Sequence, residues 1–224
     1  MLRSFYIPPT PHFVTRLFPQ LVWHYPTKER VLYLTFDDGP TPIVTDWVLE
    51  QLRIYHARAT FFCIGKNALH YPDILDRIRA EGHVIGNHTQ NHLNAWKVSN
   101  SRYINDIVEC AEHLQSPLFR PPYGKITPTI VQQIQQNPHL LLPNTTDINA
   151  AQKSLRIVMW HIISGDFDTT LSPQKCLDNV IIPAKSGSVI VFHDSQKAFE
   201  RLRYALPLLL QHFAARGYTF RACS

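Results

Sequence analysis

Asp37 and Asp38 stand side by side in Thr35-Phe36-Asp37-Asp38-Gly39-Pro40, directly after the apolar run Val31-Leu32-Tyr33-Leu34. Two carboxylates at the end of a buried strand repel each other, and burying either is costly unless a cation or a donor compensates. The pair therefore predicts a positive partner such as a metal ion. His88-Thr89-Gln90-Asn91-His92 supplies further ligands, since imidazoles four residues apart can face one side of a helical turn and share an ion. Alone this spacing is weak evidence, because twelve histidines make one such pair nearly expected by chance, whereas Asp-Asp-Gly is much rarer. Thr89 stands where the zinc-protease motif requires glutamate, which excludes that chemistry. Asp38, His88 and His92 together would give one carboxylate and two imidazoles with a coordination place left for water, as in a catalytic metal centre.

These residues need elements to bring them together. Short apolar runs rich in β-branched and aromatic residues, at 31–36, 59–64, 83–86, 117–120, 156–162, 188–193 and 218–221, alternate with amphipathic segments. Val44, Val48, Leu52 and Tyr55 recur at a helical step, as do Ile104, Ile107, Val108, Ala111 and Leu114. Thr127-Pro128 and Ser172-Pro173 are helix starts, and Gly82 and Gly217 fall where helices should stop. About seven strand-helix units with short connections predict an α/β fold with parallel strands, as a barrel or an open sheet. The barrel is favoured, because no G-x-G-x-x-G follows the first strand. In a barrel, chemistry collects after the carboxyl ends of the strands, where this chain has Asp37, Asp38, His88, Arg120, Asp166, His193 and Asp194.

The 224 residues, 45% of them hydrophobic, fill one core and one domain. The net charge of +5 comes from scattered Lys and Arg with no basic stripe, so a nucleic-acid partner is not expected. Cys63, Cys110, Cys176 and Cys223 lie far apart without C-x-x-C spacing and read as reduced core thiols. Prolines at 8, 9 and 11 interrupt the N-terminus before it reaches signal-peptide length, and no run is long enough to span a membrane, so a cytoplasmic location is expected. His56, His70, His83, His113, His139 and His212 read as surface or boundary residues, while His161 could face the core or the mouth. No Gly-x-Ser-x-Gly elbow accompanies His193 and Ser195, which argues against a serine hydrolase. Asn87-His88-Thr89 and Asn144-Thr145-Thr146 fit the glycosylation pattern.

Five motifs, Thr35-Phe36-Asp37-Asp38-Gly39, His88-Thr89-Gln90-Asn91-His92, Arg120-Pro121-Pro122-Tyr123-Gly124, Ser164-Gly165-Asp166-Phe167 and Val191-Phe192-His193, occur in an order that resembles the metal-dependent polysaccharide deacetylases of carbohydrate esterase family four, the NodB-homology domain. The resemblance spans about residues 29–221. It implies a distorted barrel of about seven strands, with a catalytic domain over 29–224 and an extension, 1–28, packed on it. It further implies that Asp38, His88 and His92 hold a divalent metal, usually zinc with cobalt or nickel possible, and that Asp37 is the general base, oriented by Arg120. His193 would be the general acid, supported by Asp166, and the backbone N–H of Tyr123 would stabilise the oxyanion. Phe167 and Val191 would line the acetyl pocket. Phe167 stands where tryptophan is usual and Ile163 where aspartate is frequent, which bears on substrate choice more than on the reaction. The implied activity is hydrolysis of an N-acetyl group on an amino-sugar saccharide. The alternatives are an acetyl-ester or other amide hydrolase at the same site, and a carbohydrate-binding remnant without catalysis.

Overall fold

A computed structural model describes residues 9–137, 140 and 155–224. Its strands are β1 Val31–Asp37, β2 Thr60–Cys63, β3 Val84–Asn87, β4 Leu118–Phe119, β5 Arg156–Ile157, β6 Ile162–Ile163, β7 Val189–His193 and β8 Thr219–Arg221. Seven follow one another in space as β5-β4-β3-β2-β1-β7-β6, and β8 pairs with the first half of β1. Every pairing of named strands is parallel. The sheet curls into a distorted half-barrel, so the expected architecture is present. The apolar run 156–162 is the one place where the strand reading fails. It divides into β5 and β6, which lie at opposite edges of the sheet.

The helices are α1 His12–Leu17, α2 Val44–Ile54, α3 Gly65–His70, α4 Pro72–Ala80, α5 Asn100–Leu114, α6 Pro128–Gln136, α7 Pro173–Ile181 and α8 Phe199–Ala214. Thr127 and Ser172 cap α6 and α7, each accepting a hydrogen bond from a first-turn backbone N–H, with proline at the first helical position. Gly82 and Gly217 follow α4 and α8 with φ of 77° and 73°, a region that favours glycine. Val44, Val48 and Leu52 of α2 are buried as their spacing predicts, and so are Ile104, Ile107 and Leu114 of α5.

Alternation along β1 divides the core. Leu32, Leu34 and Phe36 pack outward, in one cluster with residues of α2, α4, α7 and α8. Tyr33 instead belongs to an inner cluster with Phe62, Leu118, Val158, Val189 and Cys223, which fills the barrel. A third cluster joins α5 and α6 to Leu21 and Trp23 of the N-terminal segment. All four cysteines are buried and free. Among the described residues no helix is long and apolar enough to cross a membrane.

Candidate active site

Register sets the site. Asp37 is in register with Phe62 of β2 on one side and His193 of β7 on the other, and Phe62 is in register with Gly86 of β3. The carboxyl ends of four adjacent strands therefore meet at one level, and the loops that follow carry the remaining groups. A Cβ on Gly86 would lie 2.3 Å from the Phe62 ring, so only glycine leaves that ring room.

Asp37 is nearly inaccessible, and one of its oxygens accepts a 2.7 Å hydrogen bond from Nη1 of the fully buried Arg120. A single N–H of the guanidinium reaches this carboxylate, while three others are engaged elsewhere. Nη1 also donates to Thr35 Oγ1, Nε to the Val158 carbonyl and Nη2 to the Met159 carbonyl. Thr35 in turn donates to the Ile190 carbonyl, and the guanidinium lies 4.1 Å from the Phe62 ring centroid. A buried cation with this many fixed acceptors is held in one pose, and so is the carboxylate it touches.

Asp38 takes a different course, with φ of 81°. Its carbonyl accepts from Asn67 Nδ2 on α3, and its Oδ1 lies 3.1 Å from His92 Nε2 and 3.7 Å from His88 Nε2. That oxygen is buried yet accepts no hydrogen bond. One ligand atom from each of Asp38, His88 and His92 lies within 4.8 Å of the others. Burial works against charge on Asp38, but the neighbouring His92, His193 and His88 prevail and hold it well below the usual carboxylate range. Burial pushes His88 down to about 4, so its imidazole is neutral near pH 7. Its Nδ1 lies 2.8 Å from the Arg120 carbonyl, which can only accept, so the proton sits there and Nε2 keeps its lone pair toward Asp38. An anionic carboxylate without a donor and a neutral imidazole fixed in one tautomer are the forms a divalent metal binds, and the triad fits such an ion.

The two histidines do not share a helical turn, as their spacing suggested. Residues 88–92 form a loop in which Thr89 and His92 have φ of 64° and 56°, and this bend brings the ring centroids to 5.1 Å. The loop is tied down by Asn87, which accepts from Thr89 N and donates to the Ile107 carbonyl, and by Asp106 of α5, which accepts twice from Asn91. A buried Asn87 engaged at both ends of its amide offers no acceptor for a glycan. Asn144 lies outside the described residues.

On the far side of Asp37, both oxygens of the buried Asp166 engage His193, one at Nδ1 and one at the backbone N–H, each at 2.7 Å. Burial alone would lower His193, but the charge and hydrogen bond of Asp166, with Asp38 and Asp37 beyond, push it up to about 9. Phe167 packs edge-on to the His193 ring at 5.0 Å. Val191 is fully buried two residues before His193 on β7. Tyr123 is exposed with φ of 60°, its ring 4.7 Å from that of His92.

Three groups have parts in this site to which the sequence reading assigned no role. Asp194 is fully buried and accepts from Gly39 N–H and from the Thr45 hydroxyl, bracing the Asp37-Asp38-Gly39 turn. Its place directly after a strand end was the only signal for it. Arg201 of α8 donates Nε–H to the Asp166 carbonyl at 2.7 Å and Nη2–H to the Lys197 carbonyl. Asn67 holds Asp38 from α3. One histidine differs from expectation and another, left open, is placed. His83 is buried and accepts from Ala59 N–H, and His161 bonds Ser188 at the entry of β7, away from the mouth. His139 lies outside the described residues.

The family model for polysaccharide deacetylase matches residues 24–140. A peptidoglycan-N-acetylglucosamine deacetylase of Bacillus cereus is 31% identical over 205 residues, covering 89% of this chain and 89% of that protein. A chitooligosaccharide deacetylase of Azorhizobium caulinodans is 30% identical over 216 residues, covering 87% of this chain and 93% of its own length. The crystal structure of a peptidoglycan N-acetylglucosamine deacetylase in complex with 4-naphthalen-1-yl-N-oxidanyl-benzamide superposes with a TM-score of 0.79 at 29% identity, covering 95% of this chain and 94% of that one.

Proposed function

Because this chain belongs to the polysaccharide deacetylase family, hydrolases of carbon-nitrogen bonds other than peptide bonds, we propose that it releases acetate from the N-acetyl group of an amino sugar within a saccharide. Relatives named for N-acetylglucosamine in peptidoglycan and for chitooligosaccharide support that substrate class. One observation carries the reading: the two adjacent carboxylates are treated oppositely. Asp37 is locked by Arg120, whereas Asp38 presents a buried oxygen without a donor to two imidazoles.

Asp38, His88 and His92 would hold the metal, and their donor set suits zinc, with cobalt or nickel also accommodated. When bound, that ion would polarise the acetyl carbonyl and make a nucleophilic water available at neutral pH. Asp37 takes the proton from the attacking water as its oxygen bonds to the acyl carbon. Arg120 holds Asp37 in line. His193 gives its proton to the amide nitrogen as the carbon-nitrogen bond breaks, leaving acetate and a free amine on the sugar. Asp166 keeps His193 charged and oriented. The backbone N–H of Tyr123 would stabilise the developing oxyanion, and Phe167 and Val191 would wall the space for the acetyl methyl.

Purified protein assayed for metal content and acetate release tests the assignment. Asp37→Asn is expected to lose at least about a hundredfold in turnover while retaining metal. Asp38→Ala and His92→Ala should lose the metal itself. An Asp37→Asn protein as active as the parent, or metal content unchanged in His92→Ala, would overturn these roles.

A further inference from the structure

The rim beside His92 carries a feature the reaction does not use. Trp96 is 63% exposed, although its neighbour Ala95 is buried in the core. The loop that presents it is fixed, since Asn94 Oδ1 accepts from Trp96 N–H and the Asn94 carbonyl from Lys97 N–H, both at 2.9 Å. Lys125 Nζ sits 3.9 Å from the centroid of the indole. Lys125 is two residues beyond Tyr123, whose exposed ring lies 4.7 Å from that of His92. Tyr123 meets His92, and Lys125, two residues further on, covers one face of the largely exposed Trp96, so this indole stands on the rim beside the metal triad.

We propose that Trp96 and Lys125 form a second sugar position, holding the pyranose adjoining the N-acetylated sugar being hydrolysed. The proposal rests on the deacetylase reading for the identity of the first sugar. A pyranose presents a face of C–H groups that stacks on an indole, and its hydroxyls need polar partners at the ring edge. Trp96 supplies the first and the Lys125 ammonium the second. An exposed ring held by a fixed backbone loses little freedom on binding, which favours affinity. The Lys125 cation over one face of the indole fixes the ring, leaves the opposite face for the sugar, and can turn a donor toward hydroxyls that reach past the ring edge.

Kinetics and binding test this separately from the chemistry. Acetate release from an N-acetylglucosamine hexamer is compared with hydrolysis of 4-nitrophenyl acetate, which is too small to reach beyond the first sugar position. In Trp96→Ala the ratio of the two kcat/KM values should fall about three- to tenfold, Trp96→Phe should restore most of it, and Lys125→Met should fall between. Hexamer binding is also measured calorimetrically in Asp37→Asn with and without Trp96→Ala, where the same weakening is expected. A ratio that does not move, or hexamer bound equally well or not at all by the two proteins, overturns the subsite. Absence of acetate release by the parent protein, with hexamer binding still weakened by Trp96→Ala, would sink the deacetylase reading and leave the subsite standing.

Discussion

His193 illustrates how one residue's surroundings decide its role. Its pKa is raised above the ordinary 6.5 to about 9, because the charge and hydrogen bond of Asp166 outweigh burial. The folded state therefore binds that proton more tightly than the unfolded chain, and the stability gained is full below about pH 6.5 and lost as pH rises through about 9. A group that must donate its proton follows the same direction, so kcat/KM should fall on the alkaline side. Asp166→Asn removes the raising charge and should shift that alkaline fall down by about one pH unit or more, with turnover reduced about tenfold or more at neutral pH. A pH profile of acetate release measures it, and an unmoved alkaline limb would remove Asp166 from this role. Much at this scale was legible beforehand: Asp37, Asp38, His88, His92, Arg120, Asp166 and His193 announce themselves by type and by position after apolar runs. What was hidden is how they are spent. No spacing rule says that Arg120 gives only one N–H to Asp37, or that a loop with two left-handed residues, rather than a helix, aims His88 and His92.

Among the elements, the turn after β1 depends on a residue from another strand. Asp194 lies beyond the end of β7 and accepts from Gly39 N–H at 3.1 Å and from the Thr45 hydroxyl at 2.6 Å, so it clasps the turn to the start of α2. A Cβ on Gly39 would lie 2.0 Å from this carboxylate, which accounts for glycine after the two aspartates. Asp194→Ala would leave a buried N–H and hydroxyl unpaired and should destabilise by about 2 kcal/mol in urea unfolding. Burial pushes the Asp194 carboxyl up to about 7 despite these donors. The folded state thus resists its ionisation, and the corresponding stability is present below about pH 4 and lost as pH climbs to about 7. Asp194→Asn, which cannot ionise, should lack that loss, so the stability difference between parent and variant should shift in the variant's favour between pH 5 and pH 7.5, by about 1 kcal/mol or more. Parallel pH dependences in the two proteins would contradict the clasp as described. From the sequence, Asp194 is only an aspartate after a histidine. Its partners are 149 and 155 residues away, and such pairings emerge only once β1 and β7 are set in register. The split of 156–162 into β5 and β6 was illegible for a like reason, since each strand is two residues long and pairing rather than periodicity defines it.

For the molecule as a whole, the N-terminal segment closes a chain of contacts that reaches Asp37. Val22 N–H donates to the Ile157 carbonyl at 2.9 Å, and Met159 N–H donates to the Val22 carbonyl at 2.7 Å. His24 then bridges to Ser188 at the entry of β7. The strap thus covers the backbone just past β5 and continues to the other side of the sheet. That backbone is also where Arg120 is anchored, through the Val158 and Met159 carbonyls, and Arg120 holds Asp37. A disturbance at Val22 should therefore be felt at the base through a shift of its guanidinium partner. Val22→Pro removes the N–H that reaches Ile157 and should destabilise the fold by about 1–3 kcal/mol. Because Val22 bonds to the backbone that anchors Arg120, the kinetic loss should fall on kcat more than on KM, by about threefold or more, at temperatures where the variant is fully folded. If the folded variant instead keeps its full kcat, the strap stabilises the barrel without positioning Arg120, and the coupling from sheet edge to Asp37 is broken at that link.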